Sequence, residues 1–129
     1  MVNWKSKYLV MKLKYINAKQ KAGANEVLDL DLSGKDLSGI DLSGKDLTGT
    51  NLENANLTGA NLSNAFNQHE PDELRLNLKG ANLTRANLTS VRFYFADLTN
   101  ANLTDANLSD AHLEFCKLSK TNFKDIITD

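Results

Sequence analysis

Residues 96–110 read ADLTN-ANLTD-ANLSD, three nearly identical blocks of five. Each block is Ala, then Asp or Asn, Leu, Ser or Thr, and a variable residue. Followed toward the N-terminus, the central leucine recurs as Leu32, Leu37, Leu42, Leu47, Leu52, Leu57 and Leu62, and again from Leu78 through Leu83 and Leu88. Toward the C-terminus it continues through Leu113 and Leu118, with Phe93 and Phe123 standing in phase. Among 17 such blocks the residue before the centre is Asp or Asn in 14, and the residue after it is Ser or Thr in 12. A bias fixed to position in this way belongs to a repeat, not to low-complexity disorder.

A period of five fits neither regular element. On an α-helix five residues advance roughly 500°, so successive leucines fall about 140° apart and share no face. On a flat strand an odd period sends them to alternate sides. The leucines stay together only if a short extended piece turns a corner once per block. Ala and Leu then point inward, while Asn/Asp, Ser/Thr and the fifth residue face out or make the corner. With right-angled corners, four blocks close one coil.

This pattern, repeated over about 85 residues, resembles the pentapeptide-repeat family, in particular its small cyanobacterial-type members. The resemblance implies an all-β solenoid, a right-handed quadrilateral parallel β-helix with four repeats per coil. In such quasi-one-dimensional folds each coil touches only its neighbours. That register predicts columns: Asn82, Asn102 and Asn122 as a side-chain amide ladder, and Arg85, Asp105 and Asp125 as a charged one, Arg85 offsetting Asp105. Cys116 takes the inward slot usually filled by Ala and reads as a core filler.

Three stretches break the beat. Trp4, Tyr8, Met11, Tyr15 and Ala18 form a helical stripe, so residues 1–24 are expected to be a short N-terminal helix capping a solenoid over residues 25–129. The first coil supports a cap, because its inward slots hold Leu30, Lys35, Ile40 and Lys45. The second break, residues 65–75 (AFNQHEPDELR), is expected to be a loop insertion that carries the only proline, Pro71, and His69. The third is VRFYF at 91–95, which puts Arg92, Tyr94 and Phe95 in outward slots; one coil on, the same slots hold His112, Glu114 and Phe115. Phe95 should stack on Phe115 and Arg92 should lie over His112. Arg92, Tyr94, Phe95, His112, Phe115 and His69 are the candidate interaction surface, unless the insertion folds back through Phe66 to cover the aromatics.

Composition narrows the function. The net charge of −1 is divided: residues 1–21 carry six lysines and no acid, and the rest of the chain is acidic. The single cysteine excludes an internal disulfide framework and, with no secretory signal visible, a cytoplasmic location is expected. No nucleotide-binding glycine loop, nucleophile elbow or metal-ligand spacing is present, and the repeat points His112 outward and Cys116 inward. No catalytic residue, cofactor or metal is expected, and the chain is read as a non-enzymatic structural or protein-interaction module with an unidentified protein partner. Two alternatives rest on other features. Family members that mimic DNA bind gyrase, but need a column of carboxylates, whereas Asp31, Asp36, Asp41 and Asp46 circle one coil. The Lys-rich helix could attach to an anionic membrane. Neither nucleic acid nor membrane is the expected partner, and Phe123, Ile126 and Ile127 leave a monomer and an end-to-end homodimer both open.

Overall fold

The computed structural model of the protein describes residues 30–67 and 75–129. The helix expected over 1–24 lies outside the described residues, as do His69 and Pro71. Among the described residues the chain is a four-sided solenoid, with no helix.

Each corner follows from one repeat's chemistry. At the leucine centres the amide three residues on donates to the centre's carbonyl, as Ala55 N to Leu52 O at 3.0 Å and Ala101 N to Leu98 O at 2.9 Å. The residue before this amide has positive φ, from 53° at Asp125 to 69° at Gly49. Positive φ at that place alone is the type II turn, which favours Gly or Asn there. Gly34, Gly39, Gly44, Gly49, Gly59 and Gly80 supply it at six corners, and Asn54, Asn64 and Asn100 at three more. The Asn or Asp before each centre completes the turn: its Oδ1 accepts the amide of the Ser or Thr after the centre, as Asn82 accepts Thr84 N at 3.1 Å and Asp97 accepts Thr99 N at 2.9 Å. The hydroxyl often adds a second bond, Thr104 Oγ1 to Asn102 Oδ1 at 2.7 Å. The repeat's polar positions are therefore a local alternative to strand pairing that forces the corner.

Parallel bridges join the coils on four sides. The first side stacks Asp31, Asn51, Asn77, Asp97 and Lys117; the second Asp36, Asn56, Asn82, Asn102 and Asn122. The third stacks Asp41, Asn61, Asn87, Asn107 and Ile127; the fourth Asp46, Phe66, Arg92 and His112. Many asparagine amides cross-link these columns, Nδ2 donating to the Oδ1 one coil earlier: Asn51 to Asp31 at 3.1 Å, Asn77 to Asn51 at 3.0 Å, Asn122 to Asn102 at 3.1 Å. Asn102 Nδ2 donates instead to Thr84 Oγ1 at 3.2 Å, so the expected Asn82–Asn102–Asn122 ladder is amide to amide at its upper rung alone. A carboxylate accepts but cannot donate, which suits aspartate to the first described coil. There, hydrogen bonds from Ser33 and Ser38 hold the Asp31 and Asp36 carboxyls below the ordinary aspartate range. Inside, the central leucines from Leu32 to Leu103 and the small residues Ala55 to Ala106 are buried, with Phe93 in phase. The last coil's Ala111, Leu113, Cys116, Phe123 and Ile126 are only partly covered.

The insertion is shorter than the sequence pattern suggests. A coil is 20 residues, but the one containing the insertion is 26. Ala65, Phe66 and Asn67 continue the solenoid as a further repeat, with Ala65 buried in the small slot and Asn67 buried in the leucine slot. The excursion adds six residues and leaves at the corner between the fourth and first sides. In the charged column, Arg85 and Asp105 are stacked by the Arg85 N to Thr104 O bond, but their side chains form no ion pair within 4.0 Å among the described residues; Asp125 pairs instead with Lys124 at 3.8 Å.

A candidate interaction face

Three sides carry asparagine or aspartate columns, and the fourth does not. After Asp46 its rungs are Phe66, Arg92 and His112. The Arg92 guanidinium lies over the Phe66 ring at 5.5 Å, a cation–π contact of about 0.5–1 kcal/mol when exposed. Phe66 is therefore a rung of the ladder and does not fold over the other aromatics. His112 Nδ1 lies 2.9 Å from Glu114 Oε1, and this hydrogen bond is the chief cause of the lowered Glu114 carboxyl.

At the next corner Phe95 and Phe115 stack as the register predicts, with centroids 5.0 Å apart and planes inclined by 13°. The guanidinium of Arg75, where the chain returns from the insertion, sits 5.3 Å from the Phe95 centroid. Both phenylalanines have left-handed backbone, φ 56° and 61°, a conformation that costs a residue with a Cβ about 1–2 kcal/mol. Phe115 is 73% exposed. Among the candidates from sequence, Arg92 and His112 thus share one column, Phe95 and Phe115 the adjoining corner, and Tyr94 the half-buried position between them.

Sequence reasoning missed Asn67. Arginine cannot accept a hydrogen bond, so the repeat centred on Phe93 lacks its own acceptor for the Tyr94 amide. Asn67, one coil earlier, replaces it: Oδ1 accepts Tyr94 N at 2.9 Å and Nδ2 donates to Tyr94 O at 2.8 Å. A polar residue in a leucine slot, in the coil before an arginine in an asparagine slot, is the signal that could have found it. The pair lets the fold carry a cation at this rung without leaving the turn unsatisfied.

Two open grooves flank the face. One, of about 320 Å³, is lined by Asn64, Ser90, Arg92, Asp110 and His112. The other, of about 440 Å³, lies between Arg75, Phe95 and the ion pairs Lys79–Glu53 and Lys117–Asp97, at 3.8 and 3.9 Å. Burial tends to raise the Asp97 carboxyl, yet hydrogen bonds from Thr99 and the charges of Lys117 and Lys79 leave it lowered. Cys116 faces inward, donating from Sγ to Phe93 O at 3.1 Å, and burial pushes its thiol up to about 11. Among the described residues no cluster of three His, Cys, Asp or Glu side chains could hold a metal ion. The surface offers one exposed phenylalanine stacked on a half-buried one, guanidinium groups and an imidazole–carboxylate pair at fixed spacing.

The pentapeptide-repeat family model matches residues 31–66, 75–105 and 106–126, in eight copies. Among solved structures, a pentapeptide repeat protein from the thylakoid lumen of Arabidopsis thaliana is 36% identical, with a TM-score of 0.54; the match covers 76% of this chain and 61% of that one. A pentapeptide repeat protein from Nostoc is 28% identical over 93% of this chain and 95% of its own, with a TM-score of 0.63. HetL of Nostoc, involved in the regulation of heterocyst differentiation, is 31% identical over 78% of this chain, with a TM-score of 0.53. This chain spans 45% of the length of HetL. Comparison with curated proteins gives no match.

Proposed function

Since this chain belongs to the pentapeptide-repeat family, whose members form right-handed quadrilateral β-helices, we propose that it is a non-catalytic interaction module whose fourth side engages a protein partner. One observation carries the reading: on this side the asparagine column is given up over three successive rungs, Phe66, Arg92 and His112, beside a phenylalanine pair held in left-handed backbone. Both substitutions cost the solenoid something beside the ring contacts they make. Asn at the left-handed corner, as at Asn54, Asn64 and Asn100, fits with less strain, and Arg92 needs the Asn67 substitute. Exposed aromatics flanked by arginine are the composition of protein-binding hot spots. HetL, with its role in regulation, is consistent with such a module.

The acidic DNA-mimic alternative finds less support, since the side columns continue from the first coil mainly as neutral asparagine. Attachment through the N-terminal lysines concerns residues outside the described ones. A cytoplasmic location is in keeping with a sequence that holds a single cysteine, and fractionation of native cells would test it. The functional reading is tested by affinity capture from the native host with the full chain and with a Phe95→Asn/Phe115→Asn variant. The variant should keep its melting temperature within a few degrees and lose the captured protein. Equal capture by both would remove the fourth side as the address.

A further inference from the structure

Of the cationic groups around the fourth side, Lys79 and Lys117 are paired with Glu53 and Asp97, and the imidazole of His112 with Glu114. Arg92 differs. Among the described residues no carboxylate lies within 4.0 Å of its guanidinium, which rests instead over the Phe66 ring at 5.5 Å. Phe66 is half-buried in the rung below, and Arg92 itself is exposed. The solenoid keeps this cation only by recruiting Asn67 to hold the Tyr94 amide. A guanidinium has five donors and no acceptor. A partner that covers this side therefore strands a desolvated charge unless it brings an anion of its own.

The groove decides which anion. It measures about 320 Å³, and beside Arg92 and His112 it is lined by Asn64, Ser90 and Asp110. Asp110 and Glu114 set negative charge close to the cation, so the side offers no positive field of the kind that retains a polyanion such as nucleic acid. A single planar carboxylate matches the guanidinium fork with two parallel bonds. Toward the third side Asp110 selects against a second acid, and toward the first side the Phe95–Phe115 corner favours an apolar neighbour.

From this we propose that the fourth side recognises an acidic side chain in an extended segment of its protein partner, with Arg92 the specificity-determining residue and Phe66 its positioning residue. The inference rests on the fourth side being the partner's address. The Phe66 ring holds the guanidinium plane, so less side-chain freedom is lost when the carboxylate arrives. Arg92 and Phe95 are three residues apart, so the acid and the apolar residue fall about three positions apart in an extended segment.

A random-peptide display library panned on the full chain tests the proposal. Bound sequences should be enriched in Asp or Glu with an apolar residue within about four positions. For one such peptide, followed by fluorescence anisotropy, Arg92→Lys and Arg92→Gln should each raise Kd at least about tenfold. Phe66→Leu should raise it about two- to fivefold, the worth of the ring contact, and Phe66→Tyr should stay within about twofold of the starting value. Exchanging the peptide's acid for its amide, which leaves the protein untouched, should cost at least about tenfold on the original chain and less than about threefold on Arg92→Gln. Peptides that need Phe95 and Phe115 but carry no acid, an acid whose exchange costs the same with and without Arg92, or a library that yields no binder would overturn this inference and leave the fourth-side reading standing. Peptides that bind the Arg92→Gln and Phe95→Asn/Phe115→Asn variants as well as the original chain would overturn both.

Discussion

Replacing Asn67 with Ala tests the link between the core and the fourth side. The change removes two hydrogen bonds, to Tyr94 N at 2.9 Å and to Tyr94 O at 2.8 Å, from a residue only 3% exposed. Each such bond contributes about 0.5–1.5 kcal/mol net, and a buried donor left without a partner costs about 1–3 kcal/mol. A loss of about 2–4 kcal/mol is expected, read as a shift in the urea midpoint of the far-ultraviolet circular dichroism transition. The informative quantity is the same loss in an Arg92→Asn background. There the introduced asparagine side chain can accept the Tyr94 amide as Asn82 accepts Thr84, so Asn67 becomes partly redundant. The cost of Asn67→Ala should fall by about 1–2 kcal/mol, well above the roughly 0.3–0.5 kcal/mol within which independent sites add. Equal losses in the two backgrounds would refute the idea that Asn67 stands in for the missing acceptor.

Three further outcomes follow from the same geometry. Arg85→Gly relieves a φ of 58°; the strain of about 1–2 kcal/mol less the extra glycine entropy leaves a net gain of about 0.5–1 kcal/mol, visible as a melting temperature higher by a few degrees. Cys116, raised from 9.0 to about 11 by burial, should react with a disulfide reagent at pH 8 at least about tenfold more slowly than an ordinary thiol, the smaller thiolate fraction outweighing its greater nucleophilicity, and the stability that its protonated form contributes is lost as pH climbs from 9 through that range. Asp31, Asp36 and Asp97 are lowered from 3.8 in the fold, so their contribution is complete above about pH 4 and is lost as pH falls below it. Melting temperature should drop in that window, and Asp97→Asn should make the drop smaller.

Much of the fold is written in the sequence because its period excludes both helix and flat strand. The inward alanines and leucines, the Asn82–Asn102–Asn122 column and the Phe95–Phe115 stack follow from counting in fives and twenties. Counting fails at the insertion, where the coil grows to 26 residues. Asn67 looks like loop because a polar residue occupies a leucine position, and its role emerges only when Arg92 is seen to lack an acceptor. Phe66 looks like a cover for the aromatics, yet it is a rung beneath Arg92, while Arg75 stacks on Phe95. Arg92 over His112 follows from counting in twenties, but Phe66 could not be placed beneath Arg92 from sequence, because that step spans the longer coil.

The claim that the fourth side is the address, and the other sides scaffold, is tested most directly by site-specific photo-crosslinking in the native host. A benzophenone amino acid placed at Phe115 is compared with one at Arg85, a left-handed corner of the same backbone geometry away from the fourth side. The account predicts a discrete cross-linked protein from position 115, lost when Arg92 is replaced by Asn, and none from position 85. The same product from both positions, or a product at 85 alone, would contradict it.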